Sequence, residues 1–267
     1  MSGFAAGWLA LREPHDTRAR DTGLVRALAH WLGEPREITV VDMGSGTGSN
    51  LRWLAQHLPG RQHWRLVEHD PELIAAGMGL LPRGGDVSWR YVEADLESRL
   101  EAIVGEGCDL LACSALLDLV SAGWLARLAR LASTQGIPLH AALTYDGRIG
   151  LQPPHRNDAR VTDLVNAHQR TDKGFGPALG PDAAATLERL LEVRPGRTLC
   201  APSDWRLEPE DREIQEALLE GWAGAAAEMA PEEAALVASW RAERLAALRA
   251  DSGRCLVGHR DLLWLPG

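Results

Sequence analysis

The stretch VVDMGSGTGSN, from Val40 to Asn50, joins the end of an apolar run to an acidic residue and three alternating glycines. Leucines at helical spacing follow it in NLRWLAQHL. Glycine tolerates tight turns and lets a ligand approach the backbone without a Cβ clash. The stretch therefore predicts a strand, a tight turn and a helix, with Asp42 beside the turn.

The same alternation continues along the chain as far as Tyr145. The strand-like segments are HWRLVEHD, SWRYVEADL, CDLLACSA and IPLHAALTY, and the helix-like segments among them include PELIAAGMGLL and GWLARLARLA. Strands that alternate with helices indicate crossover units and a parallel, doubly wound sheet. The pattern therefore predicts an α/β fold.

Beyond Tyr145 the sequence becomes polar and rich in glycine and proline. We expect a long connection at about 147–181, which at that length is usually functional or disordered. The segments after it predict a helix in DAAATLERLLEV, a strand in RTLCAPSDW, a helical region at about 210–252 and a final strand in RCLVGHRDLLWLP.

Composition limits the class of protein. The chain has 267 residues, 45% of them hydrophobic, which is typical of a globular protein with a sizeable core. A formal net charge of -9 argues against nucleic acid or an anionic membrane as partner, because neutralising phosphates takes clustered Lys and Arg. Four cysteines without metal-ligand spacing predict buried thiols and no metal site. The first residues resemble neither a secretory signal nor a membrane span, so we expect a cytoplasmic protein.

Three acids follow predicted strands: Asp42 after ITVV, Glu68 after WRLV and Asp95 after RYVEA. An open parallel sheet binds ligands beyond the carboxyl ends of its strands, so these acids are expected at one edge. A carboxylate at 42 repels a phosphate, and the dinucleotide fingerprint needs a glycine where this chain has Ser49. The pattern favours a nucleoside with a positive group over one with phosphates.

These residues resemble a known family. VVDMGSGTG resembles the first motif of class I S-adenosylmethionine-dependent methyltransferases, LVEHDPEL resembles their second, and VEADL the segment that holds adenine. The resemblance covers roughly Ile38 to Tyr145, and three motifs in order are more specific than one glycine loop. Segments such as APSDWRL are similar to bacterial members of the family.

The resemblance implies a Rossmann-like, doubly wound, mostly parallel seven-stranded sheet with helices on both faces. It also implies an N-terminal helical cover at 1–36 and a methyltransferase domain at 37–267. The polar segment at about 147–181 would be an acceptor loop inserted into that domain. The helical region at about 210–252 would lie within the same domain.

The resemblance further implies S-adenosyl-L-methionine as the cofactor. Asp42 would orient the glycine loop or meet the cofactor's amino group, and Glu68 would accept both ribose hydroxyls. The other implied contacts are Gly44, Ser45 and Gly46 with the methionine and ribose, His69 and Leu96 with adenine, Asp95 with its exocyclic amine, and Ser114 near the methyl group. Arg12, Arg18 or Arg20 would meet the methionine carboxylate, and the sequence does not choose among them.

The sequence leaves the acceptor open. A protonated oxygen or nitrogen acceptor needs a base within hydrogen-bond reach. The candidate catalytic residues are His168, Tyr145 and Ser114, and the candidate acceptor-binding residues are His155, Arg170 and Lys173. The cations of this segment indicate either an acceptor with a carboxylate or phosphate, or a solvated loop. Glycines at 174, 176 and 180 would make the segment a hinged lid.

Three functions fit these patterns. The first is methyl transfer to a small-molecule acceptor, without nucleic acid or membrane as partner. The second is a non-catalytic protein that binds S-adenosylmethionine as a sensor or during assembly. The third, a nicotinamide-dependent oxidoreductase, is disfavoured by Ser49 and by the paired acids. The sequence does not fix the oligomeric state.

Overall fold

A computed structural model describes residues 5–82 and 84–267 of the chain. Residues 1–4 of the expected N-terminal cover lie outside this described part. The strands within it are β1 (Glu37–Met43), β2 (Arg61–Glu68), β3 (Val87–Glu93), β4 (Leu110–Ser114), β5 (Leu139–Gln152), β6 (Gly196–Pro202), β7 (Trp205–Leu207) and β8 (Arg254–Pro266).

Ten α-helices accompany these strands over the described residues. They are α1 (Ala6–Ala19), α2 (Thr22–Leu32), α3 (Ser49–Leu54), α4 (Pro71–Met78), α5 (Leu96–Gly105), α6 (Ala122–Gln135), α7 (Asp158–Gln169), α8 (Ala183–Glu192), α9 (Arg212–Met229) and α10 (Ala234–Arg249). None of the helices in the described ranges is long and apolar enough to cross a membrane.

The strands form one sheet in the order β3-β2-β1-β4-β5-β8-β6, and β7 pairs with β8 beside this path. Strands β1 to β5 run parallel to their neighbours, whereas β8 is antiparallel to β5, β6 and β7. The chain winds outwards from β1 to β3 and then returns to β4, so β1 and β4 flank the point where strand order reverses. The expected doubly wound, mostly parallel sheet is confirmed, with β7 as a short strand beyond the seven expected.

Alternating side chains of the strands build a core on each face of the sheet. Val41 and Met43 of β1 pack with helices α5, α6 and α8 on one face. Val40 packs with α2 and α3 on the other face. Asp42 therefore lies on the α2 face, since successive strand residues point to opposite sides. Helices on both faces, as expected, enclose the sheet.

The segment expected as a loop at about 147–181 is largely regular structure, and that expectation is corrected. Strand β5 continues to Gln152, because it pairs with β8 as far as Gln152–Arg254 and forms a two-stranded ribbon beyond the parallel strands. Helix α7 then buries Val161, Leu164 and Val165. Their spacing is that of a helix face, but the surrounding polar residues concealed it.

The two helices of the region at about 210–252, α9 and α10, pack with α7 on this ribbon. Their third core contains Leu218, Trp222 and Trp240 together with Cys255 and Val257 of β8. The ribbon needs this cover, because an isolated pair of strands is marginally stable in water. The sheet thus carries two cores on its parallel part and a third on its extension.

We predict that Leu128→Ala lowers the free energy of unfolding by about 2 to 5 kcal/mol. Leu128 is fully buried between α6 and the sheet, so truncation removes apolar contacts and leaves a cavity. Urea unfolding of both proteins measures the difference. As a control, Leu80→Ala changes stability by less than about 0.5 kcal/mol, because Leu80 is 54% exposed. Equal effects of the two substitutions would contradict the assignment of this core.

Candidate functional site

The glycine loop lies at the carboxyl end of β1, next to the switch point. Gly44, Gly46 and Gly48 have φ values of 65°, 53° and 82°, in the left-handed region that favours glycine. A Cβ on Gly46 would lie 3.0 Å from Leu9 of α1, and one on Gly44 would lie 3.1 Å from Leu116. The loop is therefore enclosed closely by α1 on one side and by the turn after β4 on the other.

The backbone amides of the loop are largely satisfied within the protein. The Gly46 amide donates to Glu68 Oε2 at 2.9 Å, and the Ser45 amide donates to the carbonyl of Val67 at 3.0 Å. The Gly48 amide donates to the carbonyl of Ser45 at 2.8 Å. A pyrophosphate is bound by loop amides that point at it, and these three are already engaged. The arrangement therefore disfavours a dinucleotide.

Glu68 connects the end of β2 to the glycine loop. Its carboxylate is buried, and Oε1 accepts hydrogen bonds from the amides of His69 at 2.8 Å and Asp70 at 3.0 Å. A carboxylate has about four acceptor directions, and three are used here, so Oε2 retains one for a ligand hydroxyl. Asp70 accepts from the Glu72 amide at 2.8 Å and caps the N-terminus of α4.

A buried polar chain crosses the switch point. Arg20 Nη1 donates to Asn50 Oδ1 at 2.8 Å, and Asn50 Nδ2 donates to Asp42 Oδ1 at 2.7 Å. Arg20 Nη2 donates to the hydroxyl of Ser114 at 2.9 Å. The chain joins the end of α1 to β1, α3 and β4. Asp42 and Ser114 were both predicted as site residues, and they belong to this one network.

This chain leaves opposite charges without full compensation. Asp42 Oδ2 and Arg20 Nε are both buried and have no hydrogen-bond partner among the described residues. Burial raises the pKa of Asp42 to about 7, although Asn50 and then Arg20 act to lower it. Burial likewise lowers the pKa of Arg20. A ligand that carries an ammonium and a carboxylate would satisfy both groups.

Helix α1 forms a roof over the strand ends. Leu9 contacts the glycine loop, and Glu13 Oε1 accepts from Arg52 Nε of α3 at 2.7 Å. Farther along the helix, Asp16 Oδ1 accepts from Trp205 Nε1 of β7 at 3.1 Å. Asp261 of β8 accepts from the Asp21 amide at 2.8 Å and so fixes the corner between α1 and α2. The roof is tied at both ends of the site.

The contacts distinguish the three arginines that the sequence left open. Arg12 is paired with Asp16 at 2.9 Å, and the exposed Arg18 is paired with Asp211 at 3.0 Å. Arg20 is 5% exposed and reaches the strand ends of β1 and β4 through its hydrogen bonds. Arg20 is therefore the arginine of the N-terminal segment that enters the candidate site.

The candidate adenine residues lie at the ends of β2 and β3. His69 has an exposed side chain whose Nδ1 is 3.2 Å from Glu68 Oε1. Asp95 is exposed and caps α5, accepting from the Glu97 amide at 3.0 Å and from the Ser98 hydroxyl at 2.9 Å. Leu96 is buried and accepts from Trp124 Nε1 at 2.9 Å. The roles of all three with adenine remain predictions.

Asp118 marks the other side of the switch point. It lies in the 3-10 turn Leu117–Leu119 after β4 and is 7% exposed. Its Oδ1 has no hydrogen-bond partner among the described residues. Burial raises the pKa of Asp118 to about 6, against smaller lowering effects of its own amide, of Arg12 and of the Tyr145 amide.

Three aromatic rings cluster where β5 and β7 pair with β8. Tyr145 on β5 donates to Asn166 Oδ1 at 2.8 Å, and burial raises its pKa above the ordinary value. His259 of β8 has its ring centroid 6.2 Å from that of Tyr145 and 5.0 Å from that of Trp205. Burial lowers the pKa of His259 to about 3, so the ring is neutral. Trp205 and His259 were missed in the sequence, because β8 brings them here from distant segments.

The candidate acceptor residues lie in α7 and in the segments before and after it, and each has a polar partner. His155 Nε2 is 3.0 Å from Glu243 of α10, and His168 Nε2 is 3.1 Å from Glu228 of α9. Arg170 donates to Asp182 at 2.9 Å. Lys173 donates to Thr171 Oγ1 at 2.9 Å. The structure does not bring these four side chains to one point, and their acceptor roles stay predictions.

The structure of this chain is similar to several solved structures. Neither a protein-family model nor a curated protein matches the sequence. A cyclopropane synthase from Mycobacterium tuberculosis is 11% identical, with 91% of this chain and 83% of that chain covered and a TM-score of 0.48. A cyclopropane-fatty-acyl-phospholipid synthase-like protein from Lactobacillus casei is 13% identical, with 94% and 98% covered and a TM-score of 0.49.

A third similar structure, a Haemonchus contortus N-methyltransferase in complex with S-adenosylhomocysteine, is 12% identical. The match covers 92% of this chain and 53% of that chain, with a TM-score of 0.40. Identities and TM-scores at these levels carry no argument about activity. The function is therefore inferred from the geometry of the site.

We predict that Asp42→Asn stabilises the protein without ligand, and more so as pH rises. The pKa of Asp42 is 3.8 as a model value and about 7 when folded. Below about pH 4 both states are protonated, whereas between about pH 4 and 7 only the unfolded state loses its proton, so unfolding becomes easier. Above about pH 7 the wild type bears the full penalty, on the order of a few kcal/mol.

Urea unfolding at about pH 5 and about pH 8 measures this difference. The control is Asp86→Asn, whose side chain is 82% exposed and which should change stability little at either pH. A stability gain of Asp42→Asn that is equal at both pH values would show that titration of Asp42 is not its cause.

Proposed function

We propose that the protein binds S-adenosyl-L-methionine at the ends of β1, β2 and β4 and transfers its methyl group to a small-molecule acceptor. The observation that carries the proposal is the buried polar chain with two unsatisfied charges of opposite sign, on Arg20 and Asp42. Burying a charge without full compensation is costly, so such a pair indicates a ligand with matching charges. The methionine part of this cofactor has an ammonium and a carboxylate.

The residues divide the cofactor among them. Arg20 would bind the methionine carboxylate, Asp42 would accept from the ammonium, and Glu68 would accept from the ribose hydroxyls. Gly44 and Gly46 would lie against the methionine and ribose; a Cβ on either would come within about 3 Å of Leu116 or Leu9, so both positions need glycine. Ser45 would lie with these glycines against the methionine and ribose, and the proposed contacts of the adenine are His69, Asp95 and Leu96.

The bound cofactor supplies a methyl group activated by a positively charged sulfur. The contribution of the protein is then to position the reactants and to exclude water. Helix α1 covers the glycine loop through Leu9, and the Asp16–Trp205 hydrogen bond holds the roof near β7. Ser114 is half-buried at the end of β4 and accepts from Arg20. Its place near the methyl group is the one that the resemblance implies, and we include it in the proposal.

A sensor or assembly protein would use the same binding residues without turnover. Formation of S-adenosylhomocysteine from S-adenosylmethionine with candidate acceptors separates this alternative from the enzyme. A nicotinamide-dependent oxidoreductase is disfavoured by the glycine-loop amides, which donate to Val67, Glu68 and Ser45. The hydrogen bonds of the loop and the serine at position 49, where the dinucleotide fingerprint has a glycine, both disfavour a dinucleotide.

The acceptor proposal is supported by fewer contacts. Arg170 pairs with Asp182, and His155 lies 3.0 Å from Glu243, so both already have an acidic partner within the protein. Lys173 contacts the Thr171 hydroxyl and lies next to His168. Lys173 therefore stays a candidate to bind an acidic group of the acceptor, and His168 a candidate base. Tyr145 is a weaker candidate base, because its hydroxyl donates to Asn166. From composition, we propose a cytoplasmic small-molecule enzyme.

We predict that S-adenosylmethionine and S-adenosylhomocysteine bind to the protein and that NAD does not. A ligand that binds only the folded state raises the temperature of unfolding with its concentration. Calorimetric titration gives the affinity, and thermal unfolding with each ligand confirms it. Binding of NAD without binding of S-adenosylhomocysteine would contradict the assignment of the site.

We predict that Arg20→Ala weakens binding of S-adenosylhomocysteine by roughly tenfold to more than a hundredfold, the range expected for a charged hydrogen bond. Arg18→Ala is the matched control, since Arg18 lies on the same helix, is exposed and pairs with Asp211. Calorimetric titration of both variants measures the difference. Equal affinities of the two variants would exclude Arg20 as the carboxylate ligand.

A further inference from the structure

A second unsatisfied acid lies on the far side of β4 from the glycine loop. Asp118 is more than nine-tenths buried, and its Oδ1 has no partner among the described residues. It does not belong to the Arg20–Asn50–Asp42 chain, which satisfies neither of its oxygens. A buried carboxylate oxygen without a hydrogen-bond partner calls for a functional explanation, because its desolvation is costly.

The position of Asp118 points to the acceptor. Leu116, two residues before it, lies against Gly44, where the proposed cofactor passes. The amide of Tyr145 and the guanidinium of Arg12 are near enough to lower the pKa of Asp118. The acid therefore lies between the cofactor strands and β5, under the roof formed by α1.

Among the residues that the structure describes, no cation donates a hydrogen bond to Asp118 Oδ1. Arg12, the nearest candidate, donates from Nε and Nη2 to Asp16 at 2.9 and 3.1 Å, and it lies over the Trp205 ring at 5.0 Å. His259 is neutral because burial lowers its pKa to about 3. Asp118 Oδ1 is therefore left without a hydrogen-bond donor, and Tyr145 of β5 is near enough for the charge of Asp118 to act on it. Carboxylates and aromatic faces together recognise ammonium groups.

We propose that Asp118 receives the acceptor, and that the reacting atom of the acceptor is an amine nitrogen. This inference rests on the proposed function. The acceptor enters as an ammonium ion paired with Asp118 and transfers one proton to the carboxylate. The free nitrogen lone pair then forms the N–C bond as the C–S bond breaks, and the electron pair of that bond stays on sulfur.

The products are the methylated ammonium ion, S-adenosylhomocysteine and one proton, which Asp118 releases to water. The pKa of Asp118, about 6, suits this step, since a base that titrates near the working pH accepts and releases protons readily. Asp118 is a better placed base than His168, which contacts Glu228 and Lys173 at the surface end of α7.

The test uses two cofactor analogues and needs no knowledge of the acceptor. S-adenosylhomocysteine lacks the methyl group, whereas sinefungin carries an amine on the carbon that replaces the sulfur, so its ammonium projects to the acceptor side. Asp118→Asn should lower the affinity for sinefungin by roughly tenfold or more. It should change the affinity for S-adenosylhomocysteine by less than about twofold. Calorimetric titration of each ligand gives the ratio.

Two further variants complete the experiment. Asp118→Glu keeps the charge and should recover part of the sinefungin preference. Asp163→Asn removes an exposed acid of α7 and should leave both affinities unchanged. If Asp118→Asn does not fold, the smaller Asp118→Ser replaces it in the same titrations.

The outcomes separate the two proposals. If S-adenosylhomocysteine fails to bind to the wild type, the proposed function is wrong and this inference with it. If both ligands bind to the wild type and Asp118→Asn weakens them equally, or weakens neither, the proposed function stands and the role of Asp118 is refuted.

Discussion

The hydrogen-bonded chain from Arg20 through Asn50 to Asp42 is the interaction on which the site depends. It joins residues from the end of α1, the start of α3 and the end of β1, and Ser114 adds the end of β4. None of these elements is adjacent to all the others in sequence. The chain is costly because it buries charge that the protein itself does not fully neutralise. A ligand with matching charges would offset that cost. The network lies between the ends of β1 and β4, where the strand order of the sheet reverses.

Much of this arrangement was accessible from the sequence because it is local. The glycines, Asp42 and Glu68 each follow a predicted strand directly, and parallel strands bring their ends to one edge without further information. The choice of Arg20 over Arg12 and Arg18 was not accessible. All three lie on one short stretch, and only the packing of α1 against β4 and β7 determines which side chain is buried.

The errors have a common physical cause. The polar residues after Tyr145 were interpreted as a loop, yet every second residue of the β5 extension is at least partly covered and α7 buries an apolar face. One face of the ribbon is exposed to solvent and carries polar residues, so the composition of the segment resembles that of a loop. Likewise, Trp205 and His259 meet Tyr145 through antiparallel pairing with β8, a contact between segments far apart in the chain. Pairing of that range leaves no local signal.

The ribbon of β5 and β8 has a consequence for how the protein can vary. Its core, with Trp222, Trp240 and Val257, is distinct from the two cores that hold the parallel strands. Substitutions in separate cores act nearly independently on stability. The chain can therefore exchange side chains around Tyr145 and β7 while the glycine loop and its hydrogen bonds persist. The fold therefore has two parts whose cores respond separately to substitution, and the continuous strands β5 and β8 join them.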